Sequence, residues 1–342
     1  MRLGLGIGID KTNIAAISGG LRARFLGTGT QYTQLGPITR QISAAMTGDG
    51  TQTTDLLVTK RFAPNYTGDG TMAASLLSYE YLLSGDGDAA VAYSLRAVNP
   101  DYTGVLVLLR RSSDNAEKAF YKDANNILSL TSEDGASVTL ATWIGSDNGF
   151  VKTKYDQSGN SNHATNTTAS EQPQIIAAGA FILENTKPTL QGNGTQYLKF
   201  TNLLLDSATG YFMSIVYRNN GADMIVGDNN STNSFVWPNN GTNVHFRETG
   251  TDTNLSITTN NGAQSLLVLN RTSGNIDLDV NANNANTAKA IDTININTLL
   301  NGYTGTSFAL LGNMQEVIIY ATDKSASKAD IKTNVNTYYS IY

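Results

Sequence analysis

The sequence has 342 residues, enough for one large β domain and a smaller one, since all-β domains commonly reach roughly 200–250 residues. Only 15% of the residues are charged and the net charge is −5, so the chain lacks the basic face of a nucleic-acid-binding protein. The absence of cysteine excludes a disulfide framework and a thiolate metal site. The many glycines, asparagines and threonines favour an extended β protein with many turns.

The first 45 residues are rich in glycine and carry small apolar side chains without a sustained period. The opening run alternates Leu or Ile with Gly and ends at Asp10, too short and interrupted for a membrane span and unlike an export signal. Such a segment buries little surface by itself, so it is either disordered or ordered against another chain. We favour the second alternative and predict that residues 1–45 attach the protein to a partner.

A loose repeat follows in residues 46–88. Thr-Gly-Asp-Gly begins at Thr47 and at Thr67, and Ser-Gly-Asp-Gly begins at Ser84. Asp-Gly is the preferred centre of a tight hairpin turn, which predicts a β-hairpin-rich region with one hairpin in each repeat. The alternative is that Gly-Asp-Gly is simply frequent in any glycine-rich β protein.

From residue 89 onward, short apolar strands alternate with Asn-Gly turns, the pattern of a two-sheet sandwich or jelly roll. Val105–Arg111 is a near-continuous apolar run typical of a central strand. In Phe150–Tyr155, β-branched and aromatic residues alternate with Lys152 and Lys154, which predicts a half-buried strand with both lysines on its other face. Further strands are predicted at Phe212–Tyr217, Asp223–Val226, Ser234–Trp237, Val244–Arg247, Ser265–Asn270, Ile276–Val280 and Gln315–Tyr320.

The chain ends in a predicted amphipathic helix over residues 325–339. Ile331, Val335, Tyr338 and Tyr339 recur at helical spacing, and Ser327 with Asp330 has the spacing of a capping box.

Several of these segments resemble a known family. The sequence Tyr-Asp-Gln-Ser-Gly-Asn at 155–160, preceded by Gly-Phe-Val at 149–151 and followed by Asn-His-Ala-Thr at 162–165, resembles a signature of concanavalin A-like jelly rolls. That family includes the catalytic domain of α-L-arabinofuranosidase B and laminin-G-like domains of bacteriophage structural proteins. The resemblance covers residues 90–342 and implies an all-β fold: a concanavalin A-like two-sheet jelly roll over 89–342 with a short C-terminal helix, preceded by the hairpin-rich and extended regions.

The residues that would carry chemistry are scarce. Glutamate is infrequent, and the stretch at 217–223, which ends in Asp223, does not match the nucleophile context of the arabinofuranosidases, so no catalytic residue carries over. His163 and His245 are the two histidines, and neither lies in a nucleophile motif. Asp156, Ser158, Asn160 and Asn162 alternate as in a Ca²⁺ loop but lack its later ligands, so an Asx-rich turn is favoured over a metal site.

Two aromatic residues are candidates for glycan contact. Trp237 precedes Pro-Asn-Asn and Tyr303 follows Asn-Gly, so both are predicted near loop edges beside polar amides. Either could equally belong to the core or to a contact between subunits.

These observations together favour a bacteriophage virion structural protein, a surface fibre, decoration or spike component. It would be a homo-oligomer without enzymatic activity or cofactor, joined to other virion proteins through residues 1–45 and displaying a lectin-like domain towards a bacterial surface glycan. The alternative is a carbohydrate-active enzyme similar to the arabinofuranosidases, which would need two carboxylates facing each other across a cleft.

Overall fold

The computed structural model describes residues 81–342 except Asp86, Ala222 and Asn240, together with six strands between residues 24 and 76. The chain divides into two compact units, Met1–Tyr81 and Leu82–Tyr342. No helix among the described residues is long and apolar enough to cross a membrane.

The six described strands of the first unit form two three-stranded parallel sheets. The first sheet has the order β1–β3–β5 and the second has the order β2–β4–β6. Arg24 lies opposite Ala45, which in turn lies opposite Asn65, so equivalent strands of successive repeats stack on one another. The strand bounds are β1 Arg24–Leu26, β2 Gln31–Ile38, β3 Ala45–Thr47, β4 Gln52–Val58, β5 Asn65–Thr67 and β6 Met72–Leu76.

This pairing corrects the hairpin expectation for the N-terminal region and bears on the attachment segment, whose role stays a prediction. The repeat does form β structure, but its described strands pair in parallel, and a two-residue hairpin turn can join only antiparallel strands. In addition, β1 and β2 pair with β3 and β4 of the same chain, so this part of the proposed attachment segment has internal partners. The remaining residues of 1–45 lie outside the described residues.

The second unit contains twenty-one described strands, two α-helices and two short 3₁₀ helices. The helices are α1 Leu140–Ile144 and α2 Lys328–Tyr339, and the 3₁₀ helices are Leu82–Ser84 and Ala169–Glu171. The strands are β7 Ala89–Ser94, β8 Val107–Arg111, β9 Glu117–Phe120, β10 Gly149–Lys154, β11 Ala164–Thr165, β12 Gln174–Ala177, β13 Ala180–Phe181, β14 Leu183–Glu184, β15 Lys187–Pro188, β16 Leu190–Asn193, β17 Leu198–Asp206, β18 Tyr211–Asn219, β19 Val226–Gly227, β20 Phe235–Asn239, β21 Asn243–Glu248, β22 Thr251–Ser256, β23 Gln264–Arg271, β24 Asn275–Val280, β25 Asn283–Ala288, β26 Thr293–Leu299 and β27 Leu311–Tyr320.

Most of these strands form two antiparallel layers. One layer follows the order β7–β27–β18–β23–β24–β25. The other runs β9–β8–β10–β11–β17–β26–β19–β20–β21–β22. Strands β12 and β16 join the layers at one edge, because β16 pairs with both β27 and β12, and β12 pairs with β10.

Strand β18 contributes side chains to both sides of the first layer, the core between the layers and the cluster under helix α2. Its residues Met213, Ile215 and Tyr217 contribute to the main core together with residues of the other layer. The alternate residues Phe212 and Val216 belong to a second cluster with the buried face of α2. Successive side chains of a strand point to opposite faces, so β18 is almost fully buried between the core and the helix.

Helix α2 confirms the predicted C-terminal helix but not its capping box. Ile331, Val335 and Tyr339 are buried against the first layer, as their spacing predicted. Ser327 is the N-cap residue, but its backbone is helical and its side chain makes no capping hydrogen bond. A capping side chain normally needs an extended backbone to reach the first free N–H groups.

The fold class is therefore confirmed: the described protein is all-β, with large antiparallel layers and a short C-terminal helix. The run Val105–Arg111 is confirmed as central, because β8 pairs with β9 on one side and β10 on the other.

Candidate functional site

The loop at residues 156–163 after β10 carries the family signature, and its side chains hold it in place by hydrogen bonds. The Asp156 carboxylate accepts hydrogen bonds from the backbone N–H of Ala92 (2.8 Å), from the N–H and hydroxyl of Ser158 (2.9 and 2.7 Å) and from the N–H of Asn162 (3.1 Å). The Gln157 side chain bonds three backbone groups of residues 94–98. The loop therefore closes on itself and fastens to β7.

The same contacts decide against the Ca²⁺ alternative. Both oxygens of Asp156 face N–H or O–H donors, and the Asn160 side chain donates to the carbonyls of Ala89 and Ala90. Asn162 is engaged through both its amide atoms with the backbone of Thr201. The hydrogen-bonding expectation for this loop is confirmed, whereas the expected indifference of function to His163→Ala stays a prediction.

Two glutamates of the second unit are enclosed in ion pairs. Glu316 accepts from Arg96 Nε at 2.8 Å and Glu248 from Arg271 Nε at 3.0 Å, with all four side chains almost wholly buried. Tyr211 also donates its hydroxyl to Glu248. A substrate cannot reach carboxylates held in this way, so these residues stabilise the fold rather than carry chemistry.

An accessible site lies on the outer face of β20, β21 and β22. Val236 and Val244 point into the core, so their neighbours along each strand point outwards. Cross-strand pairs place Trp237 beside His245, and His245 beside Asn254. The whole outward set is Phe235, Trp237, Asn239, Asn243, His245, Arg247, Asp252, Asn254 and Ser256.

The structure brings both sequence-predicted glycan contacts to this face. The Phe308 ring lies 5.7 Å from Trp237 and 5.3 Å from Tyr303, measured between ring centroids. His245, the cross-strand partner of Trp237 on β21, lies 5.2 Å from it between ring centroids. We call Trp237, His245, Tyr303 and Phe308 the aromatic face. Phe308 was not predicted as a glycan contact, although its place as an aromatic residue after the turn-rich stretch 301–307 could have indicated that role.

The charged pair at one end of this face is internally satisfied. Arg247 makes a bidentate contact with Asp252, at 2.5 and 2.7 Å, and donates to the Thr232 carbonyl at 2.9 Å. Its guanidinium also lies 4.7 Å above the Phe235 ring. The polar groups offered around Trp237 are consequently imidazole and amides.

Asp223 is a half-buried carboxylate in a segment whose backbone is hydrogen-bonded to that of Phe308. Its Oδ2 accepts from the Leu311 N–H at 3.1 Å, and the next residue, Met224, donates its N–H to the Phe308 carbonyl at 3.0 Å. Asn219 Nδ2 donates to the carbonyls of both Asp223 (3.2 Å) and Pro238 (3.0 Å), which ties Asp223 to the strand that carries Trp237. Burial raises the pKa of Asp223, and the Leu311 hydrogen bond opposes that rise only in part.

No cluster of three or more histidine, aspartate or glutamate side chains that could hold a metal ion occurs among the described residues. The chemistry within reach is therefore stacking on aromatic rings, hydrogen bonding to amides, and proton donation by a carboxyl group.

Comparison with known proteins gives structural neighbours only. No family model matches the sequence, and no curated protein matches it. A GH54 α-L-arabinofuranosidase soaked with a cyclic sulfate inhibitor superposes with a TM-score of 0.54 at 14% identity, over 74% of this chain and 64% of the enzyme. An arabinofuranosidase complexed with arabinofuranosyl-α-1,2-xylobiose gives a TM-score of 0.53 at 14% identity, over 72% of this chain and 62% of the enzyme.

These neighbours contradict the expectation that the protein is not an enzyme, because both of the solved structures reported above are arabinofuranosidases that share its fold. The chain spans less than two thirds of each enzyme's length, and identity at this level shows the fold alone. The described β domain is therefore similar in fold to the GH54 arabinofuranosidases.

Proposed function

We propose that this protein is carbohydrate-active and holds a glycan against the Trp237 ring of the aromatic face, with Asp223 as the proton donor of a glycoside hydrolase reaction. The observation that carries the proposal is the convergence of the Trp237, Tyr303 and Phe308 rings, and the segment hydrogen-bonded to Phe308 contributes Asp223, whose pKa is raised by burial. The fold shared with arabinofuranosidases supports it.

The aromatic face suits a sugar for two reasons. One side of a pyranose or furanose ring is lined by C–H groups, which stack on the indole of a tryptophan, while the hydroxyls at the ring edge need hydrogen-bond partners. Asn239, Asn243 and Asn254 surround Trp237 and His245 on the same outer face and supply amide donors and acceptors.

Binding is tested by calorimetry with arabinofuranosyl-xylobiose and by screening on an array of plant and bacterial glycans. Trp237→Ala removes the central ring, and we expect it to cost roughly 2 kcal/mol, or about thirtyfold in Kd. Tyr342→Ala is the control, since Tyr342 is an exposed aromatic residue outside this face. Equal affinities of wild type and Trp237→Ala for every glycan that binds would refute the proposal that the sugar stacks on Trp237.

Asp223 suits the role of general acid. A glycosidase must keep one carboxyl group protonated so that it can protonate the leaving oxygen, and burial in a partly apolar site achieves this by raising the pKa. The other carboxylate of such a pair would activate water or attack the anomeric carbon. Asp252, on the outer face of β22, is the candidate, and it would have to give up its bidentate contact with Arg247 to act in this way.

Hydrolysis is tested with 4-nitrophenyl α-L-arabinofuranoside. We expect Asp223→Asn to lower kcat by roughly a hundredfold or more while the protein stays folded, with exposed Asp101→Asn as the matched control. Activity of the wild type should fall as the pH rises past the elevated pKa of Asp223, because the donor is then ionised. An unchanged kcat in Asp223→Asn would remove Asp223 from the mechanism.

Attachment to a phage particle stays a prediction that rests on the sequence resemblance. Residues 1–45 as the anchor, the homo-oligomer and the virion location belong to that prediction. A structure of the intact particle that shows what residues 1–45 contact would test it.

A further inference from the structure

Phe308 has an unusual combination of exposure and backbone geometry. Its side chain is 47% exposed, although it packs on two other aromatic rings. Its φ is 58°, in the left-handed region that bulky residues seldom occupy. Backbone strain of this kind persists where the surrounding structure enforces it, and it concentrates at ligand sites.

The loop that carries Phe308 is fixed at both ends. Asn229 Nδ2 donates to the carbonyls of Tyr303 (2.7 Å) and Gly305 (2.8 Å), and Asn301 bonds the same turn. At the other end, Met224 donates its N–H to the Phe308 carbonyl. With the backbone held, the Phe308 side chain can move by rotation about its own bonds while the loop stays in place.

Two buried polar atoms on the face that carries Trp237 lack hydrogen-bond partners among the described residues. Trp237 Nε1 is buried and donates to no group among the described residues, and Asn243 Oδ1 likewise accepts from none. The two residues lie diagonally across the β20–β21 pair. A ligand hydroxyl can both accept and donate a hydrogen bond. It could therefore accept from Trp237 Nε1 and donate to Asn243 Oδ1, the two atoms that lack partners.

We propose that Phe308 is a movable cover over the sugar site at Trp237. In the closed form its ring packs against the indole, tilted by 49° with the ring centroids 5.7 Å apart, and obstructs a sugar that would stack there. A sugar displaces the ring by rotation of the Phe308 side chain, stacks on Trp237 and accepts a hydrogen bond from Trp237 Nε1. This inference rests on the proposed glycan binding, and its first test needs no sugar.

The first test measures access to Trp237 directly. In a Trp143→Phe background, Trp237 is the single tryptophan, because the chain contains two. Phe308→Gly removes the cover and suits a positive φ, so it should fold, and acrylamide should then quench Trp237 fluorescence more strongly. Leu311→Ala is the matched control, since Leu311 is 46% exposed in the same segment and should leave quenching unchanged. Equal quenching with and without the Phe308 ring would overturn the proposal.

The second test measures sugar affinity with arabinofuranosyl-xylobiose. If the uncovered form is about a tenth of the population, removal of the cover should tighten binding by roughly tenfold in Phe308→Gly and Phe308→Ala. Weaker binding in both variants would show that Phe308 is itself the stacking platform and would overturn the cover. If neither wild type nor variants bind any glycan, the proposed function fails, while the quenching experiment still decides whether Phe308 covers Trp237.

Discussion

Lys154 offers the sharpest test of how this fold tolerates a buried charge. The side chain is 2% exposed at the end of β10, and its Nζ has no hydrogen-bond partner among the described residues. Its surroundings include Tyr93, Met314 and Glu316. Burial lowers the pKa of Lys154 to about 7, against the attraction of Glu316, which raises it.

The free-energy cost of burying the charged form of Lys154 follows from that pKa. The fall from the ordinary 10.5 to about 7 corresponds to roughly 5 kcal/mol, at 1.36 kcal/mol for each pKa unit. Between about pH 7 and pH 10.5 the unfolded chain retains a proton at Lys154 that the folded chain has released. The free energy of unfolding should therefore rise with pH across this window, and the full cost is present below it.

We predict that Lys154→Met stabilises the protein most at low pH. Methionine has a similar length and no charge, so the variant should gain several kcal/mol near pH 6 and much less near pH 10. Glu316 keeps its partners Arg96 and Ser94, so the substitution leaves no new unpaired carboxylate. The measurement is urea unfolding of wild type and variant at a series of pH values.

Lys152→Met is the control for that experiment. Lys152 lies on the same strand, is partly exposed and pairs with Glu117 at 2.8 Å. Its replacement should change stability by about 1 kcal/mol or less. A wild-type stability that is flat between pH 7 and pH 10, or a Lys154→Met variant that is destabilised near pH 6, would refute the reasoning.

Two further predictions concern the architecture. Glu248→Ala should cost about 3–5 kcal/mol in urea unfolding, because it leaves Arg271 buried without its carboxylate, whereas Asp252→Ala in an exposed pair should cost about 1 kcal/mol or less. Gly312→Ala should cost about 3 kcal/mol or more, since the added Cβ would lie 1.9 Å from a backbone carbonyl oxygen of β18. Gly274→Ala, with open space around the new methyl group, should leave the melting temperature nearly unchanged, and equal melting temperatures for the two glycine variants would contradict the packing argument.

Local patterns were enough to predict the fold class and several elements. The apolar run around β8, the strand at β10 and the spacing of Ile331, Val335 and Tyr339 each reflect a preference that acts over a few residues. Strand β26 was missed, although Thr-Ile-Asn-Ile-Asn at 293–297 alternates polar and apolar residues and could have indicated it. The polar edge strands β22 and β25 give little apolar signal, because much of their surface faces solvent.

The sequence did not reveal that Lys154 is buried. In the pairing of β10 with β8, Val151 lies opposite Leu109 and Thr153 opposite Leu108, so the register shifts at Lys152. This irregularity reverses the alternation and turns Lys154 to the core side, opposite the fully buried Val107. The prediction that Lys154 lies on the face opposite the buried one was therefore wrong, because a bulge depends on the partner strand.

For the candidate site as well, the sequence predicted individual residues, whereas their proximity depends on the tertiary structure. Composition and turn chemistry were enough to single out Trp237 and Tyr303 as aromatic residues near loops. Only the tertiary structure brings them together through Phe308 and joins the segment of Asp223 to that of Phe308, since residues far apart in sequence meet by strand pairing and loop closure. The repeat in the first unit is parallel for a similar reason: sequence spacing gives the period of the strands, whereas their direction depends on how successive repeats stack.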